Sequence, residues 1–507
     1  MPIHIGLMFI RFMRNNHKNI IAVAAAAVLM AVGIHLTQEF RFYNIESNDL
    51  FLYDWADIWM KLCKTGGLAT VLGSFLTQFF RIPFVGTAVV TLLYVLTALM
   101  IGALMSSIAK SRIMSGLSFL PVAFLFLCLE NDYYRFQGHI GFMLVLATLL
   151  IYRFLKDKPW RYIAGVLMIP ILYQTAGSVA VVLAVCLLLI EILENGLKGF
   201  WALAYPLMLL LTAILYVECS LVDSWEHALT PFMYYDWPST YFFPIYAWSL
   251  VPVLIIVAWV ASRFDIRSTF VKTAVILGAA FSFFLAGNFY AKVHSKSFYR
   301  LIQEQYWAEN EEWDEIIQTA DRRQPTFLVS YLNLALAHKG LLVQNFRYYN
   351  PQDLSSLMYP TPNLKTGLSL QSNVYLAWGY LGSGRKAAFD GNVVTPGSCH
   401  PRQLQALIQA NLVLESYGAA EKYIRILEKT LFYRKWASSM RHFIDNPQAV
   451  RSDETLGRMY SSLPLTDEYA RYDGMQGDMR DMMEANPSNH ILAQFHELYK
   501  ILEDSQR

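Results

Sequence analysis

Five carboxylates, Glu39, Glu46, Asp49, Asp54 and Asp57, fall within residues 38–64, QEFRFYNIESNDLFLYDWADIWMKLCK, interleaved with Phe42, Tyr43, Tyr53, Trp55 and Trp59. A carboxylate held beside a hydroxyl can take its proton, and aromatic faces offer a sugar or a lipid an apolar surface. A second acidic group follows in LENDYYRFQGH, residues 129–139, where Glu130 and Asp132 stand one residue apart. Such a pair suits a hard divalent cation, Mg or Mn, which takes oxygen ligands. Arg135 and His139 come next, and Arg41 and Arg81 flank the first group; each is a candidate partner for a phosphate. A third loop holds Trp225, Glu226 and His227 with Tyr234, Tyr235, Asp236 and Trp237, a set that fits a sugar-lining loop or an interfacial belt. Solvated loops between membrane spans also carry carboxylates, and His139 at the start of an apolar run equally fits a capping role.

The elements that must position these residues are mostly apolar. The chain is 55% hydrophobic and 16% charged, with a mean hydropathy of +0.32. A soluble chain carries about 25% charged residues. The deficit is confined to residues 1–293, and residues 294–507 read as an ordinary soluble domain. Apolar runs at 19–37, 84–108, 113–129, 139–155, 160–177, 178–194, 199–217, 242–262 and 270–290 suggest about nine spans, since a crossing takes roughly 20 residues. Arg11, Arg14 and Lys18 precede the first run, which is expected to stay uncleaved. Lys110, Arg112, Arg153, Lys156, Lys158, Arg161, Lys198, Arg263, Arg267 and Lys272 fall in every second connection. Those connections share a face if the N-terminus is cytoplasmic. The acidic loops 38–83, 130–138 and 218–241, and the tail, then lie outside. The 160–194 region demands a very tight turn at 174–178. Residues 67–81 are too short to span and end at Arg81 and Pro83. They are expected to lie on or dip into the outer face, beside a shorter helix at 54–63.

The expected fold class is all-α, a polytopic helical membrane domain (1–293) followed by a soluble α-helical domain (294–507). In the tail, 303–319, 326–338, 401–416, 419–433, 466–485 and 489–503 show helical spacing. The stretch 406–432, ALIQANLVLESYGAAEKYIRILEKTLF, alternates small and large apolar positions about a glycine turn and resembles a tetratricopeptide helix pair. The intervening 340–400, rich in Pro, Gly, Ser and Asn, is expected to be poorly ordered. A repeat surface of this kind binds partners.

The layout of residues 1–293 resembles the GT-C glycosyltransferases: an acidic first outer loop with short surface helices, a second acidic pair in the next outer loop, many spans and a C-terminal extracytoplasmic domain. It also resembles an uncharacterised bacterial multispan family with a tetratricopeptide-like tail. The GT-C resemblance implies sugar transfer from a polyprenyl-phosphate donor to an envelope acceptor at the outer face of the cytoplasmic membrane. Asp49 would be the base, with Glu46 and Asp54 as rivals. Glu130 and Asp132 would be the metal pair, and Arg41, Arg81, Arg135 and His139 would bind substrate. There is no strict Asp-x-Asp. A polysaccharide polymerase or ligase, or a non-enzymatic membrane scaffold whose repeats recruit envelope proteins, fits the same layout. Membrane lipid is a partner on every reading.

Other classes are disfavoured. The net charge of +2 gives no basic signal for nucleic acid. Cys63, Cys128, Cys186, Cys219 and Cys399 form no thiolate motif. GSGRK at 382–386 lacks phosphate-loop spacing. The spans carry few charges, against an ion-coupled carrier.

Overall fold

The computed structural model describes residues 17–131, 134–230, 234, 243–264, 269–349, 353–358, 365–395, 399–463 and 474–506. Among these residues the regular structure is helical, α or 3-10, with no strand. The chain forms two compact units. One comprises residues 1–42 and 58–293, the other residues 43–57 and 294–507. The short segment 43–57 therefore belongs with the tail, although its place in the sequence lies between two apolar runs.

In the first unit the apolar runs become helices because nothing else satisfies backbone polar groups in hydrocarbon. Among the described residues, seven helical stretches are long and apolar enough to cross a membrane: Val23–Glu46, Val85–Ala109, Ile113–Glu130, Gln137–Phe154, Pro159–Asn195, Gly199–Glu218 and Phe243–Ala261. The chain is thus a multi-pass membrane protein in its apolar part. A further helix covers Thr269–Val293.

The Pro159–Asn195 stretch is a hairpin. Gly177 has φ 67° and ψ −149°, a conformation open essentially only to glycine. Arg161 Nη2 lies 2.6 Å from Glu191 Oε1. On a straight helix thirty residues would hold them about 45 Å apart. The tight turn is bolted to its surroundings by donated hydrogen bonds. Gln174 Nε2 reaches the carbonyls of Leu62, Cys63 and Lys64, each at 3.2 Å. Tyr173 and Ser178 donate to the carbonyls of Ala228 and Thr230, and Tyr234 donates to that of Ala176. At the open end of the hairpin, Tyr152 donates to Glu191 and Arg153 pairs with Glu194.

Residues 67–81 form the helix Gly67–Thr77 and a 3-10 turn Gln78–Arg81, broken from the next span by Pro83 and by Phe84 at φ 64°. A Cβ at Gly73 would stand 2.8 Å from the Gln137 Cα, so this helix packs tightly on the Gln137–Phe154 helix. The Trp55–Cys63 helix, by contrast, buries no residue.

The second unit is built from helix pairs joined by one recurring turn. Helices ending at Glu309, His338, Ala377 and Val413 are each followed, two residues on, by a residue of positive φ: Glu311, Gly340, Gly379 and Glu415. The next helix starts two residues later in each case, at Trp313, Leu342, Leu381 and Tyr417. Each turn carries the same six-to-one bond of a Schellman motif. Glu312 donates to the Trp307 carbonyl, Leu341 to Leu336, Tyr380 to Tyr375 and Ser416 to Asn411. A Cβ at Gly379 would sit 2.0 Å from the Ser462 carbonyl oxygen, so glycine is required there.

For its described residues, the expectation of a poorly ordered 340–400 needs correction. Helices Lys365–Ala377 and Leu381–Val393 occupy it, with Leu368, Leu370, Val374, Leu381 and Ala388 buried. One of its glycines is a helix-packing residue: a Cβ at Gly384 would come 2.7 Å from the Leu376 side chain. The core of the later helices gathers Leu404, Leu407, Ile408, Leu412, Ala420, Ile424, Leu427 and Ala437, and Leu50 of the 43–57 segment is buried among them.

Candidate functional site

Each sequence-derived site residue has a definite place, except Asp132, Tyr235, Asp236 and Trp237, which lie outside the described residues. In the first unit, Glu130 closes the short 3-10 turn Cys128–Glu130, and Gln38 and Arg41 sit one turn apart on the His17–Glu46 helix. Arg41 Nη2 lies 2.7 Å from Glu130 Oε2, and its Nη1 donates to the Glu130 carbonyl at 3.0 Å. Gln38 Nε2 donates to Glu130 Oε1 at 2.8 Å. Both carboxylate oxygens are engaged and both charged side chains are buried. Among the described residues no group of three or more His, Cys, Asp or Glu is placed to hold a metal.

His139, in the first turn of the Gln137–Phe154 helix, is completely buried against Phe136 and Tyr94, with ring centroids 5.3 and 5.2 Å away. Thr97 donates its hydroxyl to the Leu93 carbonyl, so at 3.0 Å it accepts from His139 Nε2. The ring is enclosed by aromatics and fixed in one tautomer. Arg81 and Arg135 are half-buried.

Glu46, Asp49 and Asp54 belong to the second unit. Glu46 is buried, 2.9 Å from Arg402 Nη1, and Tyr433 donates its hydroxyl to both carboxylate oxygens at 2.9 and 3.0 Å. Arg402 also reaches Glu309 at 2.9 Å, donates to the Tyr43 carbonyl at 2.8 Å, and stacks over the Tyr43 ring at 3.7 Å. Burial opposes the Arg402 charge, but Tyr43, Glu309, Tyr433 and Glu46 together hold the guanidinium protonated well above its ordinary range. Burial raises the Glu309 carboxyl and the Arg402 charge opposes this. Asp49 is buried at 7% exposure. Asp54 pairs with Lys429 and accepts the Ala56 amide at 3.1 Å; the Lys429 hydrogen bond, then the amide, lower its carboxyl from the usual value. Alongside, the buried Lys365 ammonium donates to Asn48 Oδ1 at 2.6 Å and Ser47 Oγ at 3.4 Å.

Arg402, Tyr433, Lys365 and Lys429 were not legible as partners, because each stands more than 300 residues along the chain from the group it meets. The one local signal is a charged residue, Arg402, beside Leu404, Leu407 and Ile408 on the buried side of its helix. The arrangement leaves Glu46 engaged by an arginine and a tyrosine, and Glu130 by an arginine and a glutamine.

A second carboxyl in this unit is set apart. Glu304 is fully buried; Arg300 Nε donates to its Oε1 at 3.1 Å while Oε2 finds no partner. Burial pushes its carboxyl up to about 8, against the pull of Arg300. The folded protein then holds a proton between about pH 4.5 and 8 that the unfolded chain releases, so stability falls as pH rises through that window. Glu304→Gln is expected to slow hydrogen exchange in the Lys296–Glu309 helix at pH 8 and above relative to the parent. The difference should vanish below about pH 4.5, where both forms are neutral. Equal exchange at both ends of the range would overturn this reading.

Neither the curated proteins nor the solved structures provide a match to this chain. A family model matches residues 16–504, a span that takes in both units. The chain therefore belongs to DUF6057, a family of unknown function.

Proposed function

We propose that this protein is a membrane-anchored scaffold whose tetratricopeptide-like second unit binds a protein partner of the cell envelope. The observation that carries this reading is the recurring helix–turn–helix unit, four times over among the described residues, each with a positive-φ residue and the same six-to-one bond. The turns at 311, 340, 379 and 415 are spaced by intervals that bracket the roughly 34 residues of a tetratricopeptide repeat. Stacked helix pairs expose a continuous surface suited to binding rather than catalysis. The hairpin at Pro159–Asn195 counts as two crossings, and Thr269–Val293 adds one, which makes nine. With basic connections cytoplasmic, the second unit is then extracytoplasmic, in a bacterial inner membrane.

The competing reading, GT-C-type sugar transfer, rests on the same carboxylates. Two of its candidates, Glu46 and Glu130, are closed by Arg402 and Tyr433, and by Arg41 and Gln38, which favours the scaffold. The discriminating experiment uses the full chain in native membranes. Photoreactive residues at exposed repeat positions such as Lys386 and Lys422 are expected to give one discrete protein adduct. In parallel, the purified chain is expected to leave a polyprenyl-phosphate sugar untouched. Sugar transfer that Asp49→Asn abolishes would replace the scaffold by the enzyme, and absence of any adduct at every repeat position would remove the partner.

A further inference from the structure

The second unit exposes an aromatic and basic patch outside the repeat turns. Tyr53, Trp55 and Leu431 are large apolar side chains with 49%, 71% and 48% of their surface exposed. They are drawn together by the backbone: the Tyr53 amide donates to the Lys429 carbonyl at 2.6 Å, and Asp54 pairs with Lys429. Leu431 follows two residues later. Arg434 and Lys435, both exposed, then open the Arg434–Asp445 helix. That helix has no acidic residue in its first turn and no side-chain cap. Two cations therefore sit at the end of a helix that already carries partial positive charge, an arrangement that disfavours itself unless an anion is near.

Three further observations select the occupant. Tryptophan and tyrosine beside Lys and Arg are the residues that settle at a bilayer's headgroup level. Trp55 also opens the Trp55–Cys63 helix, in which no residue is buried. Finally, Trp55 lies nine residues beyond Glu46, where a candidate membrane span ends. Even fully extended, that length of chain reaches only about 30 Å.

We infer that the patch formed by Tyr53, Trp55 and Leu431 with Arg434 and Lys435 docks the second unit on the anionic phospholipid headgroups of the membrane that the first unit spans. Apolar rings enter the headgroup layer, and the two cations meet lipid phosphates. This goes beyond the scaffold reading and rests only on the chain being a multi-pass membrane protein. It fixes the surface by which the repeats are held at the bilayer, leaving the repeat positions for a partner.

The test uses the full chain with Cys63, Cys219 and Cys399 replaced by serine, and an environment-sensitive fluorophore on Leu431→Cys. The protein is placed in nanodiscs of phosphatidylcholine alone or mixed with phosphatidylglycerol. In the mixed discs the probe is expected to shift to the blue and to be quenched several-fold more by lipids carrying a spin label near the headgroup. Arg434→Glu with Lys435→Glu, or high salt on the parent chain, should return quenching to the phosphatidylcholine level. The salt series decides the matter even if the charge-reversed variant fails to fold. A probe that stays in water in both discs overturns the inference. So does a blue shift without lipid quenching, which would mean that protein covers the patch, and so does quenching indifferent to lipid charge and salt. None of these outcomes bears on adduct formation at Lys386 or Lys422, so the two readings fail separately.

Discussion

Arg402→Met is expected to cost the second unit about 3–5 kcal/mol, the loss typical when one partner of a buried charge network is removed. The guanidinium serves Glu46, Glu309, the Tyr43 carbonyl and the face of the Tyr43 ring at once. Without it two carboxylates face each other in a dry interior. Hydrogen exchange in the full chain should accelerate together in residues 43–57, in Lys296–Glu309 and in Pro401–Val413. Other segments should lag behind. Arg402→Lys should recover little, because an ammonium has no planar fork to reach both carboxylates. Replacing Glu46, Glu309 and Arg402 together by apolar residues should recover most of the loss, since no unpaired charge remains. The single variant should also regain protection as pH falls and the stranded carboxyls protonate. If Arg402→Met exchanges like the parent, the network is not what holds segment 43–57 to the tail.

What the sequence shows and what it hides divide along a physical line. Helices in the apolar part are legible because their period and length are local properties. The hairpin at Gly177 is legible as a necessity of spacing, but the hydrogen bonds that hold it involve residues 62–64 and 216–234, which spacing does not reveal. In the second unit, Gly340 and Gly379 announce positive-φ turns by residue type, but Glu311 and Glu415 take the same conformation with side chains that ordinarily avoid it. A repeat whose turn residue is Gly at two positions and Glu at two others is invisible to any search for a glycine pattern. Segment 340–400 misled for the opposite reason. Its Gly and Ser residues suggest loop, but Gly384 and Gly391 are small because neighbouring helices lie against them.

The candidate site was harder still. Glu46, Asp49 and Asp54 look like a solvated or reactive loop only while their partners are unknown. Leu50 and Phe51 between them are buried, a sign that the segment has an inside, yet nothing local says which distant helix it meets. Ion pairs across 350 residues leave no trace in spacing. The meaning of a carboxylate therefore depends on the fold, which gives Glu46 the partners Arg402 and Tyr433, and Glu130 the partners Arg41 and Gln38.

The other large effect concerns Arg41 and Glu130, and it separates structure from chemistry. Arg41→Leu is expected to lower the melting temperature of the first unit markedly, since the buried Glu130 carboxylate would lose the guanidinium that neutralises it. Glu130→Leu should do the same by stranding the guanidinium. Each loss should reach about 3–5 kcal/mol. The pair Arg41→Leu with Glu130→Leu should be far less damaging than the sum, because it leaves no buried charge uncompensated. Thermal unfolding of the four proteins in nanodiscs, closed as a double-mutant cycle, gives the coupling directly. If Glu130 instead held a divalent cation, Glu130→Leu alone would abolish any metal-induced rise in melting temperature, and Arg41→Leu would strengthen that rise by freeing a carboxylate for the ion. A strong coupling with no metal response would mark the pair as the bolt between the first span and the Cys128–Glu130 turn. Additive losses with a metal response that grows in Arg41→Leu would return Glu130 to chemistry.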